Sequence, residues 1–149
     1  MTEAIITAQM AWKNFILEAG QQYRDKLDYR RFVMESLDTL YAFDTHAVIF
    51  KPTLAKDPSF RNDKMGAVHY FLGDAAMEET STRAFALQPW TDIQFDNQCI
   101  ATYDGIILVA GQYRFSQHHK APVCADYTFG YVTSGKSLKI VLQHSSLVV

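Results

Sequence analysis

Positions 5 to 23 set Ile5, Ala8, Trp12, Phe15, Ile16, Ala19 and Tyr23 at helical spacing, while Glu3, Lys13 and Gln21 fall mostly off that stripe. An amphipathic helix is predicted there. Asp28 can cap a second helix whose apolar stripe is Tyr29, Phe32, Val33, Leu37, Leu40 and Tyr41, ending before Asp44-Thr45. A short strand, AVIFKP, comes next. After a loop through Lys56-Asp57-Pro58, KMGAVHYFLG predicts a brief helix stopping near Gly73. From Ala84 onward the period changes to two. Ile93 and Phe95 alternate with Asp92, Gln94 and Asp96. Ile107, Val109, Tyr113 and Phe115 share a face, as do Val123, Tyr127, Phe129 and Tyr131, and as do Leu138, Ile140 and Leu142. Asp104-Gly105, His118-His119-Lys120 and Ser134-Gly135 are turns too short for a crossover helix, so four long antiparallel strands are expected. The fold class is α+β: N-terminal helices packed on a strongly curved antiparallel sheet, in one domain over 1–149.

Composition narrows the function classes. At 149 residues and 48% hydrophobic the chain suits one domain with a substantial core, and 13% aromatic content suits a large core or a lined cavity. A formal net charge of -2, with no basic cluster beyond Arg30-Arg31, disfavours nucleic acid and anionic membranes as partners. No stretch approaches the ~20 apolar residues of a membrane span, and the N-terminus lacks a signal-peptide pattern, so a cytoplasmic protein is expected. Cys99 and Cys124 lack C-x-x-C spacing and read as buried free thiols.

The end of the chain, LKIVLQHSSLVV, carries the candidate chemistry. Unbroken strand parity puts His144 and Ser146 on the face of Leu138, Ile140 and Leu142, with Gln143 and Ser145 opposite. An imidazole and a hydroxyl on the apolar side need partners or a ligand, since a buried polar group left unsatisfied costs about 1–3 kcal/mol. A satisfied core histidine is the bland account and, for this residue alone, the commoner one. Thr53, in FKPT, and Tyr70, in VHYF, can converge on the same mouth; their plain roles are a turn hydroxyl and a core aromatic. His118-His119 reads as an exposed turn, and no H-x-H, H-E-x-x-H or His/Cys quartet suggests zinc. A metal site from His46, His69 and His144 would depend wholly on the fold.

Taken together, FKPTLA, SFR, AVHYFLG, FALQPWTDIQFDN, ADYTFGYV and LKIVLQHSS resemble the iota-class carbonic anhydrases and their bacterial and cyanobacterial relatives. Those are similar to the association domain of calcium/calmodulin-dependent kinase II and share the SnoaL-like, nuclear-transport-factor-like cone. The resemblance spans about Trp12 to Ser146 and implies reversible hydration of carbon dioxide to bicarbonate, with no metal and no cofactor. It implies a pocket of Thr53, Tyr70, His144 and Ser146 for both catalysis and substrate binding. The family's terminal pattern is His-His-Ser-Ser followed shortly by proline; here Gln143 replaces the first histidine, and Leu-Val-Val follows in place of proline. By parity the lost histidine faces away from the pocket.

Two other functions compete. One is a SnoaL-like protein that binds a small organic acid and performs isomerase- or hydratase-type chemistry with Asp126 or Tyr127. The other is a catalytically silent association domain. The outward set Ile106, Leu108, Ala110, Cys124 and Val141 is too apolar for a solvated face, so a homodimer through the outer sheet is expected.

Overall fold

A computed structural model describes residues 2–73 and 84–148. Helix α1 (Thr2–Arg24) buries Ile5, Trp12, Phe15, Ile16 and Ala19, the stripe that its 3.6-residue spacing predicts. Helix α2 (Tyr29–Leu40) starts where the Asp28 carboxylate accepts from the Arg31 N–H, and it buries Val33 and Leu37. Strand β1 (Ile49–Lys51) leads into a loop that folds back on it, with the Arg61 N–H donating to the Phe50 carbonyl at 2.7 Å. Asp63 caps helix α3 (Lys64–Leu72) by accepting from Gly66 N, and Gly73 ends it with φ of 84°.

Residues Phe85–Leu87 form a 3₁₀ turn, and the alternation expected from Ala84 becomes a strand only at Trp90, after Pro89. Strands β2 (Trp90–Tyr103), β3 (Ile106–Gln117), β4 (Val123–Ser134) and β5 (Ser137–Leu147) form an antiparallel meander. Gly105 and Gly135, at φ of 79° and 61°, and His119, at 62°, take the turn positions with positive φ. The sheet order is β1-β5-β4-β3-β2, and β1 lies parallel to β5. The expected helices on a curved antiparallel sheet are therefore present, with this one parallel pair added.

Three register shifts interrupt the sheet and decide which side chains enter the cone. Two lie on β2, between Trp90 and Asp92 and between Asn97 and Cys99; the third lies between Gly130 and Tyr131 on β4, where Gly130 pairs with Leu142 but Tyr131 pairs with Ile140. Val141 is thus one residue extra, a β-bulge. It reverses the parity of everything after it. Leu138 and Ile140 pack with the core, whereas Leu142 lies on the outer face, its Cβ 2.9 Å from where a Cβ on Gly130 would sit. Cys99, expected to be buried, is exposed, because β2 past its bulge runs beyond the helical cover; Cys124 is half-buried. Val141, expected on the outer face, is buried at the bulge.

Candidate active site

The bulge answers what the terminal His-Ser-Ser does. Gln143 and Ser145 are 2% and 0% exposed and point into the cone, while His144 and Ser146 are exposed on the opposite side. This corrects the expected facing of all four residues. Unbroken parity fails because Val141 is an extra, unpaired residue on β5, so every position after it exchanges faces. His144 instead lies edge-on to Phe60 with ring centroids 6.0 Å apart, and Ser146 pairs across the ladder with Asp126.

The other two expected residues do reach the interior. Thr53 is 8% exposed, carried inward by Pro52 after β1, and its Oγ1 lies 2.6 Å from Ser145 Oγ. Tyr113, on β3, donates its hydroxyl to Ser145 Oγ at 2.7 Å and lies 3.4 Å from Thr53 Oγ1. Thr53, Tyr113 and Ser145 thus make a triangle of three hydroxyls. Tyr70, on α3, places its hydroxyl one residue along, accepting from the Leu54 N–H at 3.3 Å. Gln143 joins from β5, its Nε2 3.5 Å from the Tyr113 hydroxyl and its Oε1 2.5 Å from that of Tyr41. Behind Tyr41, the Trp12 indole N–H donates to its oxygen at 3.0 Å.

Around the hydroxyls the wall is aromatic. Trp12 stacks on Tyr113 at 5.8 Å, Phe85 stacks on Tyr70 at 5.4 Å, and Phe50, Phe71 and Phe115 fill the gaps between them. Burial raises the ionisation of Tyr41 and Tyr70 well above the ordinary phenol range and raises that of Tyr113, so all three remain O–H donors at neutral pH. Two cations brace the loop from outside. Lys51 donates to the Ser145 carbonyl at 2.7 Å, and Arg61 ties Pro58 and Gly66 while exerting a favourable field on ionised Tyr70.

Sequence reasoning missed Tyr113, Ser145, Gln143, Tyr41 and Trp12 as site residues. A signal for the bulge was present: an isolated glycine, Gly130, within a strand, opposite the run Ile140-Val141-Leu142, where alternation is unreadable. His46 is exposed on the loop after α2, bonded to its neighbour Thr45, and His144 faces outward, so neither joins His69. Among the described residues no three His, Cys, Asp or Glu side chains come together as a metal site.

A profile described as metal-independent carbonic anhydrase matches residues 3–147. The chain belongs to the metal-independent carbonic anhydrase family. A curated member, the metal-independent carbonic anhydrase of Nostoc sp., is 29% identical over 149 residues, covering 96% of this chain and 71% of that protein. The crystal structure of an iota-carbonic anhydrase from a cyanobacterium, complexed with bicarbonate, superposes with a TM-score of 0.89 at 27% identity. It covers 100% of this chain and 93% of that one. More distant matches show the fold alone. One is a calcium/calmodulin-dependent kinase II association domain from Xanthomonas campestris, at TM-score 0.66 and 19% identity over 97% of this chain and 85% of that one. Another, at 0.58 and 12% over 99% and 95%, is a protein of the nuclear-transport-factor-like family from Streptomyces avermitilis. With the bulge in place, the position of the family pattern's first histidine is inward. In this carbonic anhydrase family member an amide, Gln143, fills it.

Proposed function

We propose that the chain catalyses the reversible hydration of carbon dioxide to bicarbonate, without a metal ion, at the cluster of Thr53, Tyr70, Tyr113, Gln143 and Ser145. The observation that carries this is the hydroxyl triangle of Thr53, Tyr113 and Ser145 inside an aromatic wall, in a chain of the metal-independent carbonic anhydrase family. Carbon dioxide is apolar and suits the wall; bicarbonate is a small planar oxyanion and suits convergent O–H donors.

In the forward reaction the oxygen of water or hydroxide bonds to the carbon, and one C=O π pair moves onto oxygen. The hydroxyls and the Gln143 amide receive the charge that develops. Water is a poor nucleophile, with a pKa of about 15.7 in bulk, so a proton must leave before or during attack. No group in the cluster accepts it near neutrality: the buried tyrosines stay protonated, and serine, threonine and glutamine do not titrate. The proton therefore goes to solvent hydroxide or buffer, and turnover climbs with pH. A bicarbonate-binding protein with little turnover is the second reading; the uncharged Gln143 in place of an imidazole favours it.

The test is oxygen-isotope exchange between carbon dioxide and bicarbonate with chelator-treated protein. Ser145→Ala and Thr53→Val each lower exchange about tenfold or more, since Thr53 donates to the developing charge and Ser145 is the hydroxyl bonded to Thr53. His144→Ala stays within about twofold of the parent, as expected for a side chain outside the cone. Exchange at the uncatalysed rate, or an undiminished Ser145→Ala, would refute the assignment.

The reading extends to assembly and compartment. Leu108 and Leu142 meet over Gly130 on the outer face, with Ala110 half-exposed beside them, and this apolar face supports a homodimer joined through the sheet. The exposed free thiol of Cys99 fits a reducing, cytoplasmic compartment. Among the described residues no helix is long and apolar enough to cross a membrane.

A further inference from the structure

We infer that Trp12 and Tyr41 are positioning residues that polarise the buried hydrogen-bond chain in one direction and thereby make Thr53 a donor to a bound oxyanion. The inference rests on the proposed function only in taking bicarbonate as that oxyanion.

Direction follows from what each group can give. The indole N–H of Trp12 is a donor with no acceptor capacity, and it lies 3.0 Å from the Tyr41 oxygen. Tyr41 is fully buried, so its own proton must find an acceptor or cost about 1–3 kcal/mol. That acceptor, at 2.5 Å, is Gln143 Oε1. Binding Oε1 to Tyr41 leaves Nε2 facing Tyr113, whose oxygen accepts at 3.5 Å. The Tyr113 proton then goes to Ser145 Oγ at 2.7 Å, and the Ser145 proton to Thr53 Oγ1 at 2.6 Å. Thr53 is last. Among the described residues its proton has only the long 3.4 Å approach to Tyr113, whose oxygen already accepts from Gln143, so it is the one to be offered to a ligand.

Reversing the amide reverses the sequence. With Nε2 toward Tyr41, Oε1 would take the Tyr113 proton, Ser145 would donate to Tyr113, and Thr53 would donate to Ser145. Thr53 would then present a lone pair to the ligand, which repels an anion. A donor-only indole on α1 thus sets the sign of the ligand that Thr53 receives on the far side of the core. The same logic excludes a cationic or donor-rich ligand from this position.

The experiment measures bicarbonate binding by calorimetry for the parent, Trp12→Phe, Tyr41→Phe, Thr53→Val and the double variant Trp12→Phe/Thr53→Val. Nuclear Overhauser contacts of the ¹⁵N-labelled Gln143 side-chain NH₂ are recorded on the parent and the first two. Trp12→Phe keeps an aromatic ring and removes the N–H. Expected are about tenfold weaker bicarbonate binding in Trp12→Phe and in Thr53→Val, with no further loss in the double variant, because Trp12 acts through Thr53. The NH₂ protons should contact the Tyr113 ring in the parent and both the Tyr113 ring and the aromatic ring at position 41 in Trp12→Phe and Tyr41→Phe. Additive losses, unchanged affinity in Trp12→Phe, or an NH₂ group against Tyr41 in the parent would overturn the inference. Binding without isotope exchange would instead remove the proposed catalysis and leave this inference standing; if the parent binds no bicarbonate, the NH₂ contacts alone decide.

Discussion

Replacing Gln143 by histidine would put an imidazole on the inward side of β5, between the hydroxyls of Tyr41 and Tyr113. Either ring nitrogen can accept from one hydroxyl while the other donates, so the Gln143→His side chain can keep both contacts that the amide makes. What changes is titration. An imidazole has an unperturbed pKa of about 6.5, and burial at a position paired with Phe50 and Phe129 disfavours its charged form. The imidazole is therefore largely neutral at pH 7.5, and its acceptor nitrogen can take the proton of an attacking water in exchange for its tyrosine partner. General bases contribute about 10²–10⁴-fold; with the hydroxyls already holding the oxyanion, the low end applies, about 10²-fold in kcat at pH 7.5. The assay is isotope exchange from pH 4.5 to 9. The parent should rise steadily, about tenfold per unit at the limit where hydroxide is the base. Gln143→His should rise through an inflection below 6.5 and then level. The reasoning fails if the parent already shows an inflection between pH 5 and 7.5, or if a folded Gln143→His variant changes kcat by less than about threefold.

Two further outcomes test the frame. Gly111→Ala should be destabilised by more than about 3 kcal/mol in denaturant titration, since a Cβ there would meet the Asp96 carbonyl oxygen at 2.1 Å and the Tyr127 hydroxyl at 2.7 Å; an unchanged midpoint would mean that the β2–β3 approach is wrong. Leu108→Glu places a charge on the outer face beside Leu142, so light scattering at micromolar concentration should move from two chains to one with helical content retained; a one-chain mass for the parent removes the dimer.

Much of this architecture was legible because it rests on repeated, local signals. Seven apolar positions of α1 agree on one face, Asp28 caps where its spacing allows, and β3 and β4 each carry four apolar positions of one parity. Thr53 and Tyr70 were reachable for a similar reason, since each follows a well-marked strand or lies in a short buried helix. The orientation of β5 was not. One extra residue at Val141 is invisible in a run of three aliphatics, yet it exchanges the two faces for every later position. Tyr113 shows a different limit. It was placed correctly on the inner face, but nothing local distinguishes a tyrosine that fills a core from one whose hydroxyl is shared by Ser145 and Thr53, contributed by strands far apart in sequence.

The parallel pairing of β1 with β5 joins residues distant in sequence, such as Ile49 with Leu142, and the Lys51 side chain spans 94 positions to reach Ser145. Such a contact carries a large loop-closure cost and forms late relative to the β2–β5 hairpins, which close through short turns. During synthesis the two N-terminal helices and β1 leave the ribosome well before their partner strand exists, and until then Phe50 and the loop bearing Thr53 have no sheet to lie against. The hydroxyl triangle is therefore assembled by the same event that completes the sheet. A folding intermediate with the meander formed and β1 undocked would have most of the hydrophobic core but no oxyanion site, so ligand binding reports on the last step of folding.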